Sequence, residues 1–369
     1  LSIRVVGNLE EFSRLASDWT DLLHASESRG IFLTWEWLYQ WARQYLGGNR
    51  LWILVVVDEG GRLRGIAPFY IRVVRPPHCI GCREIAFLGT EEVCSSHLDV
   101  IAEAVHKRAV WQRLYQFLFQ EAAGEWDIVT LEEIPAESST IGTLTDVFEE
   151  AGKVIEIRTS TSCPVINLPH SCTDYRRTLS ANHRYNLQRK RKALERLGLV
   201  SYRHIHKEPE ASQAFDLLVR LHEKRWTLNG AGGGAFQRAR FLAFHRDLVK
   251  VFEQKGWLSF SLLTLDHRPI AGIYGFVYEG AYYFYLPGFD PTAAPRTSPG
   301  MLVLCLRIEQ AIEEGLGCFD LLQGDADYKR AWANGIRRVL TMRGYNRHSR
   351  ALWVKLIESA KQALKIALR

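Results

Sequence analysis

Apolar residues recur along this chain in two rhythms, one of three to four positions and one of alternating or unbroken short runs. The first rhythm predicts helices and the second strands. Phe12, Leu15, Trp19, Leu22 and Leu23 share one helical face and predict a helix over 9–25. Thr34 is placed to cap a second helix through Trp37, Trp41 and Tyr45, with Glu36 in its first turn. The runs 51–57 and 63–74 predict a hairpin across Asp58-Glu59-Gly60-Gly61. Further strands are read at 3–6, 84–88, 98–101, 126–132 and 154–159, with helices at 104–121 and 141–151.

The second half repeats the theme. Helices are read at 172–180, 181–197, 210–228 and 236–255, and a strand at 200–205. A glycine run at 230–234 reads as a loop. A hairpin follows, 258–265 and 269–278 across Asp266-His267-Arg268, with 281–285 as its next strand. Gly65-Ile66-Ala67-Pro68 in the first hairpin corresponds in order to Ile270-Ala271-Gly272 in the second. The expected fold class is therefore mixed α/β in two halves. Pro164 and Pro169 bracket the expected linker, near 162–169, giving domains 1–163 and 164–369.

The densest pattern starts at Arg296-Thr297-Ser298-Pro299-Gly300. Ser298 suits an N-cap and Pro299 the first helical turn. Met301, Leu302, Leu304, Cys305, Ile308, Ala311 and Ile312 then keep helical spacing. Residues 319–322 read as a short buried strand ending in Gln323-Gly324-Asp325. Free N–H groups at such a helix start can hold a phosphorylated group. The motif Pro287-Gly288 ends the preceding strand and exposes its backbone.

Length and composition narrow the picture further. The 369 residues suit two domains. Hydrophobic residues at 47% and charged residues at 24% describe a globular protein rather than a disordered one. A net charge of +6 allows an anionic cofactor or substrate without marking a nucleic-acid binder. No apolar run approaches the roughly 20 residues of a membrane span, and the start LSIRVV lacks a signal-peptide pattern. The cytoplasm is the expected location. Residues 349–369 form a basic amphipathic pattern that either packs on its own domain or lies on a membrane surface. Seven cysteines suggest reduced thiols. Cys79, Cys82, Cys94 and His97 leave a zinc site open, although no metal is expected.

The strand, the serine-proline-glycine helix start, the Phe319-Asp320 strand end and the Tyr328-Lys329 pair followed by Trp332 resemble the GNAT acyltransferases, in their CelD-like and Fem-like branch. The resemblance implies two tandem GNAT-like domains, each a mixed central sheet flanked by helices. It implies an acyl-CoA co-substrate on the second half, at Tyr283, Tyr285, Gly288, Thr297, Ser298, Gly300 and Met301. The first half lacks a phosphate-binding helix start and would face the acceptor. Lys329, with Tyr328, is implied beside the acyl donor, where it would polarise a carbonyl or hold a phosphate. In the Fem-like pattern an acidic residue follows Gly-x-x-x; here Ser96-His97 stands in that place. That leaves His97 as a candidate base, oriented by Asp99.

Arg184 and Arg189 on the basic helix, Arg225, Trp226, Asp325 and Trp332 are the candidate acceptor contacts. The implied reaction moves an acyl group, expected to be acetyl, to an amine or hydroxyl of a small molecule or exopolysaccharide precursor of the cell envelope. The alternatives are a Fem-like aminoacyl-tRNA-dependent transferase acting on a cell-wall precursor, with transfer RNA as its partner, and a non-catalytic GNAT-like binding protein. Against the first alternative, no long heptad arm is present.

Overall fold

The computed structural model describes residues 1–75, 81–152, 155–207, 209–228, 234–324 and 326–346. The chain divides into two units. One is residues 1–160 with the described residues from Arg338 onward, and the other is Thr161–Arg337.

In the first unit, strands Ser2–Val6, Ile53–Val57, Leu63–Ala67 and Ile101–Ala102 pair antiparallel in that order. A second set runs Arg50–Leu51, Phe69–Val74, Cys82–Phe87 and Ile128–Pro135. The predicted strand 63–74 is thus two strands. Pro68 divides them, because proline has no N–H for a ladder, and its carbonyl instead accepts from Leu88 N at 2.8 Å. The helices Ala16–Ala25 and Trp35–Tyr45 are fixed by indoles. Trp19, Trp37 and Trp41 are buried and donate to Leu33 O, Ser95 Oγ and Thr90 O at 2.8, 2.8 and 3.0 Å. Each large ring therefore buries its apolar body while its one polar atom stays satisfied.

In the second unit, strands Val200–Ile205, Leu258–Leu265, Arg268–Tyr278 and Ala281–Phe289 are antiparallel neighbours. Cys318–Asp320 then pairs parallel with Ala281–Phe289. Helices Glu210–Leu228 and Ala239–Gln254 precede the hairpin, and Pro299–Glu313 follows it. Leu302, Val303, Leu304, Ile308 and Ala311 of the last helix join Ile270, Ile273, Tyr282 and Phe319 in one core.

Two boundaries differ from the sequence reading. The expected linker at 162–169 lies largely within a strand, Glu156–Asn167, whose Val165 and Ile166 are buried and pair with Asp320 and Phe319. Pro164 is accommodated there because its carbonyl, not a missing N–H, is used, accepting from Leu321 N at 3.0 Å. The domain expected to run to 369 also ends earlier. A strand that the sequence reading lacked, Gly335–Tyr345, carries the chain from Arg338 onward into the first unit by pairing Val339 with Pro135 and Tyr345 with Ile128. Its register shifts between Leu340 and Met342, so the alternation that marks a strand is broken. His78, Cys79 and residues 349–369 lie outside the described residues. Cys82 is buried beside Ile128, and Cys94 is exposed. Among the described residues no helix is long and apolar enough to cross a membrane.

Helix Glu210–Leu228 packs on the end of strand Ala281–Phe289 at Gly288. A Cβ at Gly288 would stand 2.6 Å from His222 N and 2.9 Å from Leu221 C, both backbone atoms. Gly288→Ala is expected to cost about 1–3 kcal/mol of stability, measured by denaturant unfolding. Unchanged stability would mean that the helix slides freely along the strand.

Candidate functional site

The site grows from one irregularity in the second sheet. Ala281–Phe289 keeps its parallel neighbour only for Ala281, Tyr282 and Tyr283, opposite Cys318, Phe319 and Asp320. The short strand stops at Asp320 while the long one continues to Phe289. Among the described strands none lies beside residues 284–289 on that side. On the other side, Tyr274 opposes Leu286 and Gly275 opposes Phe284, so Tyr285 is an extra residue in a bulge. Gly275 is needed for this: a Cβ there would meet Tyr282 Oη at 2.3 Å and Tyr283 O at 2.5 Å. A strand edge opened in this way presents peptide N–H groups to a carbonyl oxygen, the requirement for stabilising charge in acyl transfer.

Two buried histidines back this strand. His222 Nδ1 lies 3.0 Å from Pro287 O, and its Nε2 accepts from Ala235 N at 3.3 Å. The second bond fixes the tautomer, with the proton on Nδ1 donated to Pro287. Wholly buried His245 has Nδ1 at 3.3 Å from Tyr274 Oη and Nε2 at 3.2 Å from Tyr285 Oη. Burial pushes both imidazoles below their ordinary pKa and keeps them neutral. The bulge residue Tyr285 is therefore oriented by an uncharged ring.

The loop after the strand is tied by Asp290, which is 1% exposed. Its carboxylate accepts from Lys224 Nζ at 2.8 Å, Arg268 at 3.0 Å, Thr292 N at 3.0 Å and Thr292 Oγ1 at 2.7 Å. Its pKa lies below the ordinary value: burial alone would raise it, and the bonds from Lys224 and Thr292 outweigh burial.

The helix start Pro299–Glu313 is leaner than expected. Ser298 is not a side-chain cap: it lies in the left-handed region, φ 54° and ψ 62°. Its carbonyl accepts from both Met301 N and Leu302 N, at 3.0 and 3.3 Å. Pro299 has no N–H, so Gly300 carries the remaining donor of the first turn. Thr297 is buried and its hydroxyl donates to Ala294 O at 2.7 Å, and Met301 packs on the core. Lys190, unremarked in the sequence, donates to Arg296 O and places a cation at this loop.

Lys329 is 9% exposed, and its ammonium donates to Leu322 O at 3.3 Å and Gln323 O at 2.5 Å. Leu322 and Gly324 both have positive φ, 57° and 114°, so the turn points its carbonyls inward at the lysine. Burial lowers the lysine's pKa from its ordinary value. Its first task is to hold this turn. Tyr328 beside it is exposed. Asp325 lies outside the described residues.

Among the other sequence candidates, Arg225 sits over the rings of Phe289 and Trp226, at 5.3 and 5.7 Å, close to the strand end. Trp332 is a core residue rather than an acceptor contact. It is 2% exposed, packs edge-on to His183 at 4.4 Å, and accepts through its carbonyl from Tyr175 Oη. Arg184 caps a neighbouring helix, Cys172–Thr178, donating to Leu179 O at 2.5 Å and Arg176 O at 3.3 Å. Arg189 is exposed and donates to Asn186 of its own helix.

In the first unit His97 is buried with φ 59°. Asp99 does not orient it. Its carboxylate accepts from Ser28, Ser138 and Thr140 hydroxyls, all at 2.6 Å, from Lys107 Nζ at 3.1 Å and from Val100 N at 2.7 Å. Those five donors fill it, and it anchors the fold of that unit.

Part of the chain matches a known family model, and the fold has solved relatives. Residues 181–330 match the model of the acetyltransferase (GNAT) domain. Among solved structures the chain is similar to FemX, with a TM-score of 0.60 and 9% identity over 92% of this chain and 97% of that one. It is also similar to the C-terminal domain of a putative lysylphosphatidylglycerol synthetase from Agrobacterium fabrum, with a TM-score of 0.55 and 12% identity over 95% and 96%. The structure of L-PGS from Bacillus licheniformis gives 0.53 and 12% over 92% and 94%. At these identities the likeness is one of fold. No curated protein matches the sequence significantly.

Two measurements test the site. Asp290→Asn is expected to cost about 1–2 kcal/mol, because Lys224 and Arg268 are at least half exposed and solvent screens them. Since the folded pKa is depressed, this stability is present above the ordinary carboxyl value of 3.8 and is lost as pH falls below it. Wild type and variant should therefore converge in acid, and a constant gap down to pH 2 would rule out the carboxylate as the cause. Lys329→Ala is expected to lower thermal stability by the equivalent of about 1–3 kcal/mol and turnover with it, because the turn loses its tie. Lost turnover at unchanged Tm would instead put the ammonium on the substrate.

Proposed function

We propose that this chain, a GNAT-superfamily protein with the tandem fold of the Fem-like branch, transfers an acyl group from acyl-CoA to an amine or hydroxyl. The acyl group is read as acetyl, and the acceptor as a small molecule or polysaccharide precursor in the cytoplasm. The observation that carries the reading is the parting of Ala281–Phe289 from Cys318–Asp320 after Tyr283, beside the bulge at Tyr285. Peptide N–H groups of that edge can accept the charge that builds on a thioester oxygen when a nucleophile adds. Acyl-CoA supplies the activated carbonyl and a thiolate leaving group. Gly300 N–H, with Lys190 at the preceding loop, would meet a phosphate group, and Arg225 over Phe289 offers a further cation near the strand end. Tyr328, exposed after the short strand, is the proposed proton source for the leaving thiolate.

A second reading has its own support. The helix start offers one outward N–H where a pyrophosphate would use several, which suits a donor recognised through its carbonyl and its amine. An aminoacyl ester is such a donor, and one of the similar folds is named as a putative lysylphosphatidylglycerol synthetase. The exposed basic helix Ala181–Glu195 would then face a polyanion such as transfer RNA.

Thermal unfolding separates the readings, because only a ligand that binds the native state raises Tm. Acetyl-CoA at about 100 times its Kd is expected to add about 2.7 kcal/mol, and lysyl-tRNA nothing at low micromolar concentration. A shift with charged but not uncharged transfer RNA would favour the second reading. No shift with either would leave a binding protein without this chemistry.

A further inference from the structure

The second unit contains a cavity that the transfer chemistry does not use. It measures about 870 Å³ and lies among helix Ala181–Glu195, helix Pro299–Glu313 and strand Val200–Ile205. Its lining takes no residue from strand Ala281–Phe289 and none from the first three residues of helix Pro299–Glu313. It is therefore separate from the opened strand edge. A volume of this size is that of a small-molecule site, within the usual range of roughly 300–1,000 Å³.

The lining has two characters. Leu187, Leu194, Leu263, Leu302 and Leu306 form an apolar floor. Leu187 and Leu306 are only half-buried, so helix Ala181–Glu195 does not seal its own apolar side. The rim carries Arg176, Arg184, Arg191 and Lys192 against two carboxylates, Glu195 and Glu309. Those carboxylates are engaged, Glu309 by Arg176 and Glu195 by Arg191. Arg184 donates only to backbone carbonyls, and Lys192 has no ion-pair partner among the described residues. Two cations thus remain uncompensated above a leucine floor.

We propose that this cavity binds the monomer of a single-chain amphiphile with an anionic head. The chain lies on the leucines, and the head sits between Arg184 and Lys192. Burying a chain in an open apolar cavity removes apolar surface from water on both partners. The rim selects sign: an anionic head meets two cations that have no carboxylate partner among the described residues, and a cationic head is repelled. Neither element alone would serve, since exposed cations bind a lone phosphate weakly in water.

Dodecyl phosphate, titrated calorimetrically into the full chain below its micellar threshold, tests this. One molecule per chain is expected to bind. Decyl phosphate should bind about tenfold more weakly, from two fewer buried methylenes. Dodecyltrimethylammonium and inorganic phosphate should not bind measurably. Lys192→Glu, on an exposed residue, should weaken dodecyl phosphate at least fivefold, and Leu306→Trp should fill the cavity and abolish binding. If Leu306→Trp fails to fold, Lys192→Glu and the chain-length series still decide. Absence of binding overturns the proposal. So does equal affinity for the cationic amphiphile, or no dependence on chain length. Binding to vesicles of one part phosphatidylglycerol to three parts phosphatidylcholine without binding the monomer also overturns it, since the rim would then act as a membrane-facing surface. Each outcome is independent of acetyl-CoA or transfer RNA binding, so this inference can fail while the transferase reading stands.

Discussion

The second unit is organised by the parting of two parallel strands after three residue pairs. Ending a ladder early leaves peptide groups without strand partners, and each such group costs about 1–3 kcal/mol if it is buried without a substitute. The sequence around Ala281–Phe289 answers that cost at fixed points. Gly275 makes room for the bulge, and Gly288 lets the backbone of helix Glu210–Leu228 come within contact. His222 takes the carbonyl of Pro287, and Asp290 clamps the exit of the strand to Lys224 and Arg268. The opening is held from behind, so the edge that faces a ligand can remain polar.

A buried aspartate does comparable work in each unit. Asp99 gathers three hydroxyls and Lys107, while Asp290 gathers a hydroxyl, a backbone N–H and two cations. Burying a carboxylate is costly unless every lone pair is used, and the mutual attraction of the pair does not by itself secure a gain. What such a cluster secures is position, since several donors from distant segments must meet at two oxygen atoms. Around Asp99 they come from residues as far apart as Ser28 and Thr140. Around Asp290 they come from a helix, a hairpin strand and a loop.

Periodicity made the regular elements legible. The helix 299–313, both hairpins and the cap at Thr34 follow from spacing and from side-chain chemistry within a few residues. Strand Gly335–Tyr345 was illegible because its register shift breaks alternation, and the strand pairing of Val165-Ile166 was hidden by the two prolines around it, although the change of unit at Ser160/Thr161 lies close to the expected linker. Within the site, the aromatic run 281–285 was readable as a strand, but its expected end at Pro287-Gly288 was not the real one: the strand runs on to Phe289, with Pro287 and Gly288 opposite Ile273 and Gly272. The roles of Ser298, Lys329, Asp99 and Trp332 were not, because each depends on which distant atoms its polar or aromatic group meets. A lysine next to a strand end reads as a reagent until two inward carbonyls, from Leu322 and Gln323, are seen to occupy it.

That occupancy bears on the electrostatics of the whole site. With His222 and His245 held neutral, the imidazoles that back the opened strand bring no charge to it, and the Lys329 ammonium is directed to the carbonyls of Leu322 and Gln323. The cations that remain near it, Lys190 at the loop before the helix and Arg225 over Phe289, lie toward its far end. A charge developing on a carbonyl oxygen at residues 284–286 would therefore be met first by peptide dipoles, which are already oriented and need no reorganisation. The distant cations would act on the far end of a long donor, fixing its position without stabilising its ground-state carbonyl. In the proposed reaction, separating these two tasks along one strand would let binding and transition-state stabilisation be tuned independently, since only interactions that strengthen in the transition state accelerate the chemical step.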